Sequence, residues 1–166
     1  MFLPPPPALI QAQPSIPSTV EARPGVFIVQ GAPTEATFAS LKAAGITAVF
    51  NLRTDAEGDF RFEEAGSRAA GAAYDHCPVD HAFSASALDL FRAKLNALPE
   101  GARILVHCAS GNRAAAALLT AWVLDQHMPE PEAIALARKS GLTNPRLEAE
   151  ALAYIRQRSA EAAPRP

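Results

Sequence analysis

The 166-residue sequence has only two cysteines, Cys77 and Cys108, so it cannot form a disulfide-rich secreted scaffold. It also lacks a long apolar run: the longest, Ala114–Leu124, is far short of the ~20 residues that a bilayer requires. The sequence also lacks a large excess of charge of either sign, because it has 15 Lys and Arg residues and 17 Asp and Glu residues, and the pI is about 6.1. We therefore expect no membrane and no nucleic acid among the partners, since nucleic-acid-binding domains tend to have a pI above about 9.

Hydrophobic residues make up 49% of the chain, which suffices for one folded domain. Seven of the 15 prolines fall in residues 4–24, so residues 1–24 are predicted to form an extended tail. Residues 159–166 are predicted to be a second, frayed tail, which leaves a domain over residues 25–158. Because the first residues lack the basic segment of a secretory signal, we expect a cytoplasmic protein, with a periplasmic location as the alternative.

Strand and helix patterns alternate within residues 25–158. The predicted strands are Val26–Val29, Ile46–Leu52, Ala73–Cys77 and Arg103–His107. The predicted helices cover residues 34–44, 62–70, 112–127, 131–140 and 145–157, with a further one capped by Ser84 or Ser86. This alternation predicts an α/β fold with a single, mainly parallel sheet covered by helices on both faces. Sheets of this kind bind ligands beyond the carboxyl ends of their strands.

Cys108 stands between the last predicted strand and a predicted helix, in the segment Cys108-Ala109-Ser110-Gly111-Asn112-Arg113. The first N–H groups of a helix lack internal partners, and the helix dipole favours negative charge there. Gly111 can adopt the positive φ that lets successive N–H groups point inward. Arg113 adds a planar guanidinium that suits a tetrahedral oxyanion. The segment therefore predicts an anion site with a cysteine at its centre.

The same features predict that Cys108 is a reactive nucleophile held as a thiolate. Arg113 and the loop N–H groups form the predicted substrate-binding cradle, whose loop residues are Ala109, Ser110, Gly111 and Asn112. Ser110 and Asn112 are also expected to shape the loop. The alternative of an inert, buried cysteine suits Cys77 better than Cys108.

The segment His107-Cys108 with Arg113 ahead of a helix resembles the signature of cysteine-dependent tyrosine and dual-specificity phosphatases. More closely, residues from about 25 to 155 resemble the bacterial β-lactamase-hydrolase-like phosphatase family, in residues 26–31, 49–53, 78–80 and the Cys-x-Ser-Gly-x-Arg loop. The resemblance implies a phosphatase-like α/β fold and hydrolysis of phosphate monoesters through a phosphocysteine intermediate. The substrate would be a phosphorylated protein or a small phosphate ester, and no cofactor is expected.

Two departures from the phosphatase pattern keep other functions open. Four residues, Ala109 to Asn112, separate the cysteine from the arginine where phosphatases have five, and Ala114 stands where they commonly carry Ser or Thr. The shorter loop resembles that of rhodanese-type sulfurtransferases. One alternative is therefore a sulfurtransferase that carries a persulfide on Cys108 between a sulfane-sulfur donor and an acceptor. The other is a module that binds phosphate or another anion without turnover.

Asp80 is the predicted general acid, because a phosphatase must protonate the leaving oxygen. It lies 28 residues before Cys108, in the loop after a strand that Pro78 ends. In phosphatases of the resembling fold, the acid also occupies the loop after the preceding strand. The alternative is that Asp80 is a solvated turn residue or a helix cap.

Three further residues, His107, Arg53 and Cys77, have predicted supporting or structural roles. His107 is expected to brace the loop by hydrogen bonding, as it does in the phosphatases, or to be a plain strand-end histidine. Arg53 follows a parallel strand and, with Glu57, could rim the pocket; it would bind substrate, pair with a carboxylate of its own loop, or lie on the surface. Cys77 is predicted to be a small buried side chain, with a reversible disulfide to Cys108 as the alternative. No metal site is expected, because paired C-x-x-C or H-x-x-x-H spacings are missing.

Overall fold

The computed structural model describes residues 15–164. The strands are β1 Thr19–Arg23, β2 Val26–Val29, β3 Ala48–Asn51, β4 Ala73–His76 and β5 Ile104–His107. The helices are α1 Glu35–Ala39, α2 Arg61–Ala69, α3 Ala85–Asn96, α4 Asn112–Leu124, α5 Glu130–Lys139 and α6 Pro145–Ala162, with a short 3-10 helix at Asp55–Glu57. Within the described residues, no helix is both long enough and apolar enough to cross a bilayer.

The five strands form one sheet in the order β1-β2-β5-β3-β4. All pairs except β1 with β2 are parallel, so β2, β3, β4 and β5 end at the same edge. β5 lies near the middle, between β2 and β3, and its four residues are all buried. The predicted α/β fold with a single, mainly parallel sheet is therefore confirmed.

Helices cover both faces of the sheet because neighbouring strand residues point to opposite sides. Phe50 and Val106 belong to a large apolar cluster with α3, α4 and α6. Val49 and Leu105, one residue earlier, belong to a smaller cluster with Phe38 of α1. The alanines at the start of α4 are fully buried, and their small side chains let this helix pack directly against its neighbours. α4 is thus the central helix of the domain, and its amino end lies directly after β5.

The predicted N-terminal tail is wrong for residues 19–24, which belong to the domain. β1 pairs with β2, and Ile16 is only 6% exposed. Pro17 and Pro24 flank this strand rather than interrupt it, so the proline content does not prevent pairing. The sharp turn into β2 falls at Pro24-Gly25, where Gly25 has a φ of 79°. The part of the predicted tail over residues 1–14 lies outside the described residues.

The predicted C-terminal tail is likewise wrong for residues 159–162, because α6 continues to Ala162. Arg158 fixes this end of the helix, since it donates hydrogen bonds to Asp89 of α3 and pairs with Glu161 one turn later. In contrast, α1 is shorter than predicted and ends at Ala39, after which the chain continues in turns to Gly45.

Candidate active site

Cys108 follows β5 directly, at the sheet edge where the parallel strands end. Its Sγ accepts a hydrogen bond from the backbone N–H of Gly111, with a donor–acceptor distance of 3.1 Å. Gly111 caps α4 with a φ of 93°, and a Cβ there would come within 3.0 Å of the carbonyl oxygen of Val29. Only glycine suits this position, and its N–H points at the sulfur as predicted for an inward-facing loop.

The sulfur is more enclosed than the sequence suggested. Cys108 has no exposed surface and packs against the apolar cluster around α4, whereas Ala109 and Ser110 are exposed. A substrate can therefore reach Sγ only when side chains around the loop move apart. The burial also keeps water away from the sulfur, which strengthens its interaction with the loop N–H groups and with nearby cations.

Arg113 faces into the domain and is only 3% exposed. Its Nη1 and Nη2 donate to the two carboxylate oxygens of Glu57, at 2.9 and 2.5 Å, and Nη1 also donates to the carbonyl oxygen of Val79 at 3.0 Å. The hydrogen bond from Arg113 lowers the pKa of Glu57 to about 2, and bonds from Thr54 add to this effect. The guanidinium is thus fixed between the loop after β3 and the loop after β4, at the same edge as Cys108.

Asp80 lies in that second loop, next to the residue whose carbonyl oxygen binds Arg113. Its side chain is exposed, and its Oδ1 accepts a hydrogen bond from the backbone N–H of Ser84 at 3.1 Å. This contact stabilises the turn that leads into α3. Asp80 therefore occupies an exposed turn, which is one of the alternatives that the sequence offered, while its second carboxylate oxygen has no protein partner among the described residues. Its role as general acid stays a prediction.

Arg53 is buried rather than placed on an open rim, and it does not pair with a carboxylate of its own loop. Its Nη2 donates to Glu63 of α2, its Nε donates to Asn51, and its guanidinium lies 4.3 Å from the ring centre of Phe60. Two of the three guanidinium nitrogens are thus engaged within the domain. The predicted role of Arg53 in substrate binding would depend on the remaining nitrogen.

His107 is fully buried beside the same carboxylate. Its Nε2 lies 3.0 Å from Oε2 of Glu63, although the two groups are not aligned as a hydrogen bond. Burial lowers the pKa of His107 to about 3, and the nearby charge of Arg53 acts in the same direction. The imidazole is therefore neutral at physiological pH, and neither of its ring nitrogens has a hydrogen-bond partner among the described residues, so the bracing of the loop by hydrogen bonding stays a prediction.

Glu63 is the residue that sequence reasoning missed. It has no exposed surface, and besides Arg53 it accepts a hydrogen bond from the hydroxyl group of Tyr74 at 3.1 Å. The buried face of α2 carries Glu63 and Ser67, one turn apart, where an amphipathic helix usually carries apolar residues. A lone Glu in a short polar helix gives no signal of burial, because charged residues on such helices are mostly solvated.

Asn112 connects the Cys108 loop to the turn before α6. Its Oδ1 accepts hydrogen bonds from the backbone N–H groups of Thr143 and Asn144, at 2.7 and 2.8 Å. The hydroxyl group of Ser110 accepts a longer bond of 3.4 Å from the N–H of Asn112. These contacts support the prediction that Ser110 and Asn112 shape the loop.

The proposed disulfide between the two cysteines does not fit the sheet. Cys77 follows β4, and β3 lies between β4 and β5, with Asn51 as the partner of both His76 and His107. Two strand spacings amount to about 9.6 Å, whereas disulfides join Cα atoms about 4.4–6.8 Å apart. The alternative of a reversible disulfide is therefore wrong for this arrangement. Burial raises the pKa of Cys77 to about 11, as expected for an inert thiol.

No family model matches the chain. The β-lactamase hydrolase-like proteins of Xylella fastidiosa strains Temecula1 and 9a5c are each 31% identical over 118 residues, which cover 68% of this chain and 27% of theirs. The chain thus spans about a quarter of the length of the curated relatives it matches. The resemblance of the sequence to the β-lactamase-hydrolase-like family is confirmed.

Solved structures place the fold. A DUF442 protein from Shewanella putrefaciens CN-32 superposes with a TM-score of 0.70 and 24% identity, covering 90% of this chain and 93% of its own. P. aeruginosa TpbA in complex with pTyr superposes with a TM-score of 0.64 and 20% identity, covering 87% of this chain and 86% of its own. Tk-PTP in its active form superposes with a TM-score of 0.69 and 21% identity, covering 86% of this chain and 98% of its own. The chain has the fold of the cysteine-dependent phosphatases. Within that fold, its sequence is similar to the β-lactamase hydrolase-like proteins.

Proposed function

We propose that this chain is a cysteine-dependent phosphatase that hydrolyses phosphate monoesters on Cys108. One observation carries the proposal: the sulfur accepts the N–H of Gly111 at the amino end of α4, and the guanidinium of Arg113 is fixed at the same sheet edge. A cysteine with these neighbours suits both nucleophilic attack and the binding of a transferring phosphoryl group. The phosphatase fold of the solved neighbours supports this assignment over other anion chemistry.

The reaction takes place in two steps. The Cys108 thiolate attacks phosphorus, the bond between phosphorus and the ester oxygen breaks, and Asp80 gives its proton to the leaving oxygen. Water then attacks the phosphocysteine, Asp80 takes a proton from it, and the thiolate leaves with the electron pair of the S–P bond. Arg113 and the loop N–H groups stabilise the charge on the phosphoryl oxygens in both steps, which is the main catalytic requirement of phosphoryl transfer.

Arg113 must exchange part of its present contact to do this. Both of its terminal nitrogens bind Glu57, so a phosphoryl group would be bound through Nε and one shared terminal nitrogen. Glu57 keeps the guanidinium oriented while substrate is absent, and its low pKa keeps that ion pair intact at neutral pH. The guanidinium of Arg113 is therefore held in place before substrate binds, and substrate does not have to draw it into the site.

The substrate class is a phosphorylated protein or a small phosphate ester. Support for an aryl phosphate comes from TpbA, whose structure contains pTyr in the same fold. The rim of the site includes the exposed residues Ala109, Ser110 and Asp80, which a large leaving group could contact from the solvent side.

A chromogenic aryl phosphate tests the proposal directly. We expect the purified chain to release phosphate, and a rapid acid quench to trap phosphate on Cys108. The variant Cys108→Ser should bind substrate without turnover, while Cys77→Ala serves as the matched control with the other buried cysteine. Equal turnover by parent and Cys108→Ser would contradict the proposal. Binding without turnover in the parent would instead favour an anion-binding module.

The four-residue spacing between Cys108 and Arg113 favours a second candidate, sulfur transfer. In that reaction, the Cys108 thiolate would attack the outer sulfur of thiosulfate, and sulfite would leave with the electron pair of the S–S bond. Cyanide or a thiol would then attack the outer sulfur of the Cys108 persulfide, and the Cys108 thiolate would leave, giving thiocyanate or a new persulfide. Asp80 would have no acid role in this reaction. A parallel assay with thiosulfate and cyanide, with thiocyanate as the measured product, separates the two candidates, because each predicts turnover in one assay and none in the other.

A further inference from the structure

The loop that carries Asp80 is tied to the Cys108 loop through the start of α6. The Oδ1 of Asn112, in the Cys108 loop, accepts hydrogen bonds from the backbone N–H groups of Thr143 and Asn144. The side chain of Asn144 in turn caps α6, since its Oδ1 accepts the N–H of Arg146 at 3.0 Å. Each of these hydrogen bonds connects one loop of the site to the next element, so the first turn of α6 is fixed relative to Cys108.

Arg146 completes this connection on the side of Asp80. Its Nη2 donates a hydrogen bond of 2.8 Å to the backbone carbonyl oxygen of His81, the residue that comes after Asp80. Within residues 15–164, it is the one hydrogen-bond donor outside residues 80–84 that reaches the backbone or side chains of residues 80–82. The other bonds of this stretch are internal, from Phe83 and Ser84 to Asp80.

A general acid must be held within hydrogen-bond reach of the leaving oxygen, and an exposed turn offers little packing to hold it there. Asp80, His81 and Ala82 are all exposed. We propose that Arg146 is a positioning residue, which holds the Asp80 loop over the Cys108 pocket by its contact with His81. This inference rests on the proposed phosphatase function and assigns a role to a residue that does not touch the substrate.

Leaving-group dependence provides a test that a purely structural role would not satisfy. A dinitrophenolate leaves phosphorus without a proton, whereas an unsubstituted phenolate needs one from the acid. We expect Arg146→Gln to lower kcat/KM for phenyl phosphate by about tenfold, the factor of one net hydrogen bond, and to leave kcat/KM for 2,4-dinitrophenyl phosphate within about twofold of the parent. Asp80→Asn should show the same selectivity with a larger loss on phenyl phosphate.

Two matched controls separate the contact with His81 from the other contacts of Arg146. Glu150→Gln removes the ion-pair partner that Arg146 has one turn later, and Arg138→Gln removes another exposed ion pair, the one with Glu148. Both variants should behave as the parent with both esters. An equal loss with both esters in Arg146→Gln, or no loss with either, would overturn the inference while leaving the phosphatase function intact. A parent chain without turnover on either ester would overturn both.

Discussion

Two strand ends at the same edge of the sheet each carry a buried cysteine, but the chain continues differently after each of them. After β5, Cys108 is four residues from the start of α4, whose capping residue Gly111 donates its N–H to the sulfur. After β4, Cys77 is succeeded by Pro78, and α3 begins only at Ala85. Because a helix dipole acts mainly within its first turn, only Cys108 benefits from one. The distance to the next helix, rather than burial, distinguishes the two thiols.

The difference also divides the chemistry between the two loops. After β5, the sulfur of Cys108 is buried and accepts a hydrogen bond from Gly111 at the start of α4, an arrangement that suits the binding of an anion. The loop after β4 is exposed at Asp80 and joins the site through the carbonyl oxygen of Val79, which binds Arg113. One strand end therefore provides the proposed nucleophile, and the other provides the candidate acid.

Substitution of the two cysteines gives the largest contrast. Cys108→Ser should lower kcat/KM for an aryl phosphate by about 10⁴-fold or more, because the nucleophile itself is lost. Cys77→Ala should change kcat/KM by less than about twofold and lower the free energy of unfolding by about 1 kcal/mol, because only a small buried side chain is lost. Steady-state kinetics and urea unfolding measure the two effects. A comparable loss of activity in both variants would break the distinction between the strand ends.

Removal of the cation should have the next largest effect. Arg113→Gln is expected to lower kcat/KM by about 10²–10³-fold, the usual loss for one group that stabilises transition-state charge. Glu57 would also lose the partner that lowers its pKa, and that ion pair stabilises the folded state above the ordinary pKa of a Glu. The stability difference between parent and variant should thus be full at neutral pH and shrink as pH falls towards about 2.

Two measurements check this prediction, namely steady-state kinetics and urea unfolding at several pH values between 2 and 7. Arg68→Gln is the control, because it removes a more exposed Arg–Glu pair, the one with Glu64, outside the site. A stability difference that stays constant down to pH 2 would show that the Glu57 ion pair does not contribute as stated.

Asp80→Asn should cost about 10²-fold in kcat/KM for a substrate with a poor leaving group. The asparagine side chain keeps an oxygen that can accept the N–H of Ser84, so the turn before α3 should remain intact. The pH–rate profile should lose the limb that reflects protonation of the acid. Asp59→Asn, which removes an exposed carboxylate paired with Arg61, is the control and should leave the profile unchanged. An unchanged profile in Asp80→Asn would leave the residue with its contact in the turn before α3 alone.

Local sequence signals predicted the frame of the fold and the centre of the site. β2 has the predicted bounds, and α6 begins at Pro145, where the predicted helix over residues 145–157 begins. The Cys108 segment was predictable because its chemistry is contiguous, with strand, glycine, arginine and helix start within a few residues. Such signals act over one or two turns, which is the range within which a sequence pattern determines geometry.

Contacts between distant segments were not predictable in the same way. The pairing of Arg53 with Glu63 and the contact of Arg146 with His81 join residues from separate elements, and no local pattern identifies the partners. The strand order was not predictable either: a disulfide between Cys77 and Cys108 would require β4 and β5 to be neighbours, but β3 lies between them. Short alternating segments fix which residues form strands, whereas the packing of the helices on both faces decides their order.

The last prediction compares the two thiols by their reaction with iodoacetamide, and its expected effect is smaller than those on turnover. Cys108 should be alkylated in the folded chain, because the helix start and Arg113 activate its sulfur as a nucleophile. Cys77, whose pKa is raised to about 11, should remain unmodified. Peptide mapping by mass spectrometry assigns each adduct, and the same measurement in Arg113→Gln should show slower alkylation of Cys108. Equal alkylation rates at the two cysteines would mean that the loop does not activate Cys108, and the two strand ends would then differ in position alone.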